Sequence, residues 1–200
     1  MLPPQTPISD SDFVSFLGTR DSLTPGKNLW LFDKIVNAPL IQDHTNFNSN
    51  QGVYKADLHF RNCTFNKSVL LGRGREAGDI YFEDCLFNEN FTSSSFDQVD
   101  LKGGCVFNKN CTITSNGSVF RVNELVVHGI LHIDAVPNLF VLKNININQK
   151  IDHQEIEISG SSENIEMENV FCADMIINNI GSISNSIINL YCNTLGLNGP

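Results

Sequence analysis

Two hundred residues with 41% apolar side chains are enough for one continuous core, which excludes a disordered chain and leaves no need for a second domain. A formal net charge of −9 argues against a nucleic-acid phosphate partner and an anionic membrane surface, because binders of both carry basic faces. The first thirty residues hold no basic segment followed by an apolar run, and nowhere do about 18 apolar residues follow one another, so the expectation is a soluble, cytoplasmic protein.

In chain order, Met1 to Pro7 carries three prolines and reads as an extended arm. Ser9-Asp10-Ser11-Asp12 leads into Phe13, Phe16 and Leu17 with Gly18 behind them, which predicts a short helix with an N-cap, an acidic first turn and a glycine stop. A single short helix with one apolar face suits a cap over an exposed core end. Thr24-Pro25-Gly26 marks a turn before the strand-like Leu29-Trp30-Leu31-Phe32. The boundaries that follow are an arm and capping helix over 1–27 and a repeat region over 28–200. The segment from Asp33 to Gly52 fits the later period poorly and is expected to be an irregular first turn with a loop around His44 to Gln51.

From Asp57 onward the chain repeats. Cys63-Thr64-Phe65-Asn66 returns as Cys85-Leu86-Phe87-Asn88 and as Cys105-Val106-Phe107-Asn108, with steps of 22 and 20 residues. Carried forward by 20, the apolar pair falls on Leu125 and Val127, Ile145 and Ile147, then Ile165 and Met167. A third apolar position runs Val69, Phe91, Cys111, Leu131, Ile151 and Phe171. Segments such as Leu58-His59-Phe60 and Ile80-Tyr81-Phe82 alternate with period two, as strands do.

Polar residues keep the same phase. Asn66, Asn88, Asn108, His128 and Asn148 form one file, and Asn62, Asp84, Gly104, Glu124, Asn144 and Asn164 form another. Asn tolerates unusual backbone at corners and can hydrogen-bond its copies above and below. Lys67, Glu89 and Lys109 share an outer file. Together these predict an all-β fold: a right-handed parallel β-helix, or solenoid, of about seven ~20-residue turns with a short N-terminal capping helix.

Six cysteines raise the question of disulfides, but Cys63, Cys85 and Cys105 occupy one repeat position and Cys172 and Cys192 stand 20 apart, which suits buried free thiols in a reducing compartment. With no Cys-x-x-Cys and no third ligand beside His128 and His132, neither metal nor cofactor is expected. Five Asn-x-Ser/Thr triplets carry no weight in a chain so rich in these residues.

Phe60-x-x-Cys63-x-Phe65 and Phe82-x-x-Cys85-x-Phe87 resemble pentapeptide-repeat proteins, and a five-residue step recurs at Ile165, Val170, Met175 and Ile180, then Leu190 and Leu195. The resemblance covers roughly Leu58 to Leu197 and is degenerate, since Glu163 and Glu168 stand where the family has small residues; a broader parallel β-helix of the pectate-lyase shape fits as well. It implies a rod that binds proteins, and for an acidic member it implies imitation of DNA at a topoisomerase, which supercoiling assays with gyrase would reveal.

No catalytic residue is assigned. Asp79, Glu83, Asp84 and Asp100 with Arg61, Arg73 and Arg75 are the nearest set to that of a polysaccharide lyase or hydrolase, but Arg61 and Glu83 share a repeat position and should pair as a surface ion pair. Turnover on a glycan panel, lost in Glu83→Gln, would restore the enzyme reading. Gly72-Arg73-Gly74-Arg75-Glu76-Ala77-Gly78 holds the two extra residues of the 22-residue step and reads as a protruding loop, its arginines candidates for contacting a partner. The last stretch, through Leu195 and Leu197, remains in phase with no capping helix, so an exposed core end is expected there. The functional expectation is a non-enzymatic interaction or scaffold module, self-associating through that end or forming the front part of a larger bacterial protein, with a protein partner and neither nucleic acid nor membrane.

Overall fold

The computed structural model describes residues 3–23, 27–42, 56–71, 80–96, 99–115, 119–135, 139–147, 155–159, 164–172, 174–178, 184–192 and 194–198. It is a β-solenoid built almost wholly of parallel strands, with one helix among the described residues. Each of the earlier coils has three strand positions. The first is occupied in turn by Asn28–Phe32, Asp57–Arg61, Ile80–Glu83 and Val99–Lys102, and the second by Lys34–Val36, Thr64–Phe65, Leu86–Phe87 and Cys105–Phe107. From Val119–Val127 onward, these two positions join into single long strands, continued by Leu139–Ile147, Asn164–Phe171 and Ser184–Tyr191. The third position forms an eight-stranded sheet from Leu40–Gln42 to Thr194–Asn198.

Alternation within each strand is what fills the interior. Leu58, Phe60, Ile80, Phe82 and Leu101 point inward and are buried, whereas His59 and Tyr81 between them face out. Phenylalanine dominates the middle of the core. Within a file the rings lie nearly parallel, with Phe65 and Phe87 at 5.2 Å and 6° and Phe87 and Phe107 at 4.5 Å and 7°. Between files they meet edge to face, as for Phe82 and Phe87 at 74° and Phe91 and Phe107 at 80°. This places ring edges against ring faces, the arrangement favoured by the aromatic quadrupole.

The cysteine file is equally direct. Cys63, Cys85 and Cys105 are free, buried and stacked, the Leu86 amide donating to the Cys63 carbonyl and the Val106 amide to that of Cys85 at 2.9 Å each. Each thiol reaches backbone carbonyls of the preceding coil, Cys85 to Phe60 and Cys105 to Phe82 at 3.5 Å. Burial pushes the Cys85 and Cys111 thiols well up, so both remain protonated, while the neighbouring Cys85 thiol draws Cys63 down. A protonated thiol buried in a core is a small apolar side chain, not a nucleophile.

The corner between the first two positions requires left-handed backbone. Asp33, Asn62, Asp84, Glu124, Asn144, Asn169 and Asn189 all have φ between 49° and 60°. Six of these seven are Asn or Asp, the non-glycine types that adopt this region most readily. In the coil of Lys102 to Cys105, two residues, Gly103 and Gly104 at φ 69° and 82°, oppose the single Asp84, a bulge that glycine accommodates. Burial first and the adjacent Glu83 second raise the Asp84 carboxyl above its usual range, opposed by Arg61.

Two amide ladders tie the coils together. Asn66 donates to Asn37 at 2.8 Å, Asn88 to Asn66 at 2.7 Å and Asn108 to Asn88 at 2.6 Å. At the left-handed corner Asn144 donates to Asn123, Asn169 to Asn144 and Asn189 to Asn169 at 3.0, 2.9 and 2.8 Å. Asn88 both donates and accepts, so Asn88→Ala is expected to lower unfolding free energy by about 1–2 kcal/mol, the net worth of two partly exposed hydrogen bonds. Urea titration checks this, and an unchanged midpoint would mean that the ladder does not hold the coils.

Several expectations from the sequence need correction. The helix does not stop at Gly18 but runs Asp10–Ser22, because Gly18 is exposed and meets nothing within 4 Å. Its start is as expected: the Asp12 amide donates to Ser9 Oγ at 3.1 Å, and Ser9 Oγ donates back to the Asp12 carboxylate at 2.6 Å. The first coil is regular rather than irregular, Lys34–Val36 and Leu40–Gln42 lying in register with the coil above; the poor fit of period comes from residues inserted after them, and the expected loop at His44 to Gln51 lies outside the described residues.

The largest departure from the 20-residue step in the later coils comes after Ile147. Ile145 pairs with Val170 and Leu131 with Ile156, a step of 25. The partners of Ile145 and Ile147 are therefore not Ile165 and Met167, the corner residue is Asn169 rather than Asn164, and the third file runs through Ile156 and Met175 rather than Ile151 and Phe171. A corner loop can lengthen by five residues without disturbing the strands on either side, and the file then resumes in a new phase. Asn148 and Ile151 lie outside the described residues.

Candidate functional site

At the N-terminal end the arm and helix pack over the core, while the outer edges of Asn28–Phe32 and Leu40–Gln42 are open among the described strands. Thr6–Ile8 adds as a parallel strand to Lys34–Val36, and the helix behind it places Phe13 in the core, with Phe16 and Leu17 packed against it. Phe16 meets the edge of the Phe60 ring at 6.2 Å. The arm is held over the corner by Gln5, whose amide donates to Asn62 and whose carbonyl accepts from Thr64 Oγ1 at 2.7 Å.

Among the described residues, no strand or helix packs over the C-terminal coil. Ser184–Tyr191 pairs only with Asn164–Phe171, and Thr194–Asn198 only with Asp174–Asn178, so the outer backbone edge of each is open among the described strands. Leu195 continues an inward file whose members Phe91, Cys111, Leu131 and Met175 are fully buried, yet it is 45% exposed. Leu190 and Cys192 are only partly buried at the same level. Beside them the Phe171 and Tyr191 rings stack at 4.8 Å and 3°, Tyr191 being 55% exposed.

Of the residues singled out from the sequence, Leu195 lies at this open end, and Leu197 is in the same terminal strand, paired in backbone register with Ile177. Arg73 and Arg75 lie outside the described residues. Arg61 and Glu83 do pair across one coil, Nε to Oε1 at 3.5 Å, on a partly exposed surface. Lys67, Glu89 and Lys109 are all exposed. Among the described residues no group of three or more His, Cys, Asp or Glu is placed to hold a metal ion, and no helix is long and apolar enough to cross a membrane.

Two features escape a reading by repeat phase alone. On the outer face near the N-terminal end, His59 is sandwiched between Trp30 at 3.9 Å and Tyr81 at 4.4 Å, with Phe32 nearly parallel to Trp30 and Lys102 over the Tyr81 ring at 5.8 Å. Trp30 and Phe32 are 43% and 47% exposed. The outward alternation of the strands contains this stripe, but only their stacking brings the rings together. The second feature is compositional: from Met175 to Pro200 there is no Asp, Glu, Lys, Arg or His. Both strands of the open coil lie wholly within that uncharged stretch.

Comparison with protein-family models, with curated proteins and with solved structures returns no match in any of the three.

Proposed function

We propose that this chain is a non-enzymatic protein-interaction scaffold that associates with its own kind through the C-terminal coil. The reading takes the solenoid as right-handed, as parallel β crossovers are, and its turns as about seven. A reducing compartment such as the cytoplasm suits its buried free thiols. The observation that supports it best is Leu195, half exposed at a position whose copies Leu40, Val69, Phe91, Cys111, Leu131 and Met175 are buried. A partly exposed apolar side chain beside two strand edges that are open among the described strands gains free energy when another protein surface covers it, through both burial and backbone hydrogen bonding.

The aspartate variant Leu195→Asp tests this. Sedimentation of the unaltered chain is expected to give a mass above that of one chain, and the variant, which places a charge where the apolar contact forms, a mass of one chain. The side chain is already half exposed, so the fold should tolerate the change, and circular dichroism should be the same for both. Single-chain mass for the unaltered protein, with no change in the variant, would overturn the reading.

A further inference from the structure

We propose that the aromatic stripe on the outer face, with Trp30 and Phe32 at its head, is a docking site for arginine side chains of a basic protein segment. This surface is separate from the C-terminal coil. The strands Asn28–Phe32, Asp57–Arg61 and Ile80–Glu83 lie in register, Trp30 opposite His59 and His59 opposite Tyr81, so their outward side chains form one column. The rings are nearly parallel along it, within 16° for Trp30 and His59 and within 5° for His59 and Tyr81. Both faces of His59 are thus covered by rings. Trp30 has a ring on the neighbouring coil on one side only, and it and Phe32, inclined to it by 8°, are both exposed. Two large, nearly parallel aromatic surfaces left in water on a strand face are the kind of feature that marks a contact site.

Charge decides which partner suits these rings. The column already holds a cation within the chain, since Lys102 Nζ lies over the Tyr81 ring at 5.8 Å, within range of the negative ring face. A net charge of −9 steers cationic partners toward the molecule and anionic ones away. Around the stripe, the Arg61 charge is compensated by Glu83 at 3.5 Å, and Asp57, on the same outward side as His59, adds a carboxylate near the head of the column. Between the two cationic side chains, flat rings favour arginine. A planar guanidinium stacks on a ring face and still presents N–H groups at its edge to a carboxylate, whereas a lysine ammonium is a compact, strongly hydrated point charge.

Trp30 is the only tryptophan in the chain, so its fluorescence reports on the site directly. The chain is titrated with an oligoarginine peptide at about 0.15 M salt, where attraction between exposed charges beyond ~8 Å is largely screened. The expected result is a saturable change in Trp30 emission, matched by the anisotropy of the same peptide carrying a dye. Oligolysine of equal length is expected to bind several-fold more weakly, and oligoglutamate and a neutral oligosaccharide not at all. Trp30→Ala and Phe32→Ser alter exposed side chains, so circular dichroism should match the parent, while each variant weakens oligoarginine binding by about fivefold, the size of one exposed cation–π contact. Equal anisotropy curves for the parent and both variants would show that general attraction to an acidic chain holds the peptide, and would overturn the proposal. Equal affinity for oligoarginine and oligolysine would overturn it too, as would a Trp30 response to the oligosaccharide alone, which would give the rings to a sugar. None of these outcomes alters the mass found in sedimentation, so this site and the C-terminal contact stand or fall separately.

Discussion

Phe87→Ala is expected to lower the unfolding free energy by about 4 kcal/mol, the cost typical of removing a buried ring and leaving its cavity. The ring is fully buried and touches Phe65, Phe82, Phe91 and Phe107 at centroid distances of 4.5 to 5.2 Å. Its neighbours cannot easily collapse into the gap, because each is fixed within its own strand ladder and each file has one residue per coil. That places the cost in the upper part of the range for core truncations and equals a large fraction of a typical domain's total stability of about 5–15 kcal/mol. Urea unfolding should show the loss as a lower midpoint with an unchanged slope. A cost under about 1 kcal/mol would show that the rings do not pack as described and would remove the physical basis of the stacked coils.

Gly129→Ala is expected to cost about 2–3 kcal/mol, for a different reason. A Cβ at this position would lie 2.7 Å from the Lys109 carbonyl carbon and 2.8 Å from its oxygen, and 2.6 Å from Asn110 Oδ1. Two of these three atoms are backbone, so relief requires moving one coil relative to the next instead of rotating a side chain. The Asn110 side chain is also engaged, accepting from the Ile130 amide at 3.1 Å. In the same file the earlier coils carry Lys67, Glu89 and Lys109, so the glycine marks a local close approach and not a general rule of the repeat. Thermal unfolding checks the prediction. A melting temperature within a degree of the parent would mean that the two coils have slack at this corner.

How much of this was legible beforehand follows from where the constraints lie. The files of Cys63, Cys85 and Cys105 and of Phe65, Phe87 and Phe107 could be read directly, because one interior column demands similar side chains at each level and the loops between those coils are nearly equal in length. The Asn66, Asn88 and Asn108 ladder was visible for the same reason, and the Arg61 and Glu83 pair followed from their shared position. The break in phase after Ile147 was not visible, since Ile165 and Met167 are as apolar as Val170 and pattern alone cannot choose between registers five residues apart. Gly18 misled because a glycine on the exposed side of a helix costs only about 1 kcal/mol, less than the packing of Phe13 contributes around it.

The amino-acid order by itself determined that backbone coils stack, which positions face inward, and that asparagine fills the corners, because those features repeat locally and need no knowledge of distant contacts. The tertiary structure alone decided which coil pairs with which after the insertions, that the N-terminal arm and helix pack on the first coil, and that Leu195 is half exposed in the last described coil. Each of these depends on what lies above or below a residue in space, which a one-dimensional period does not specify.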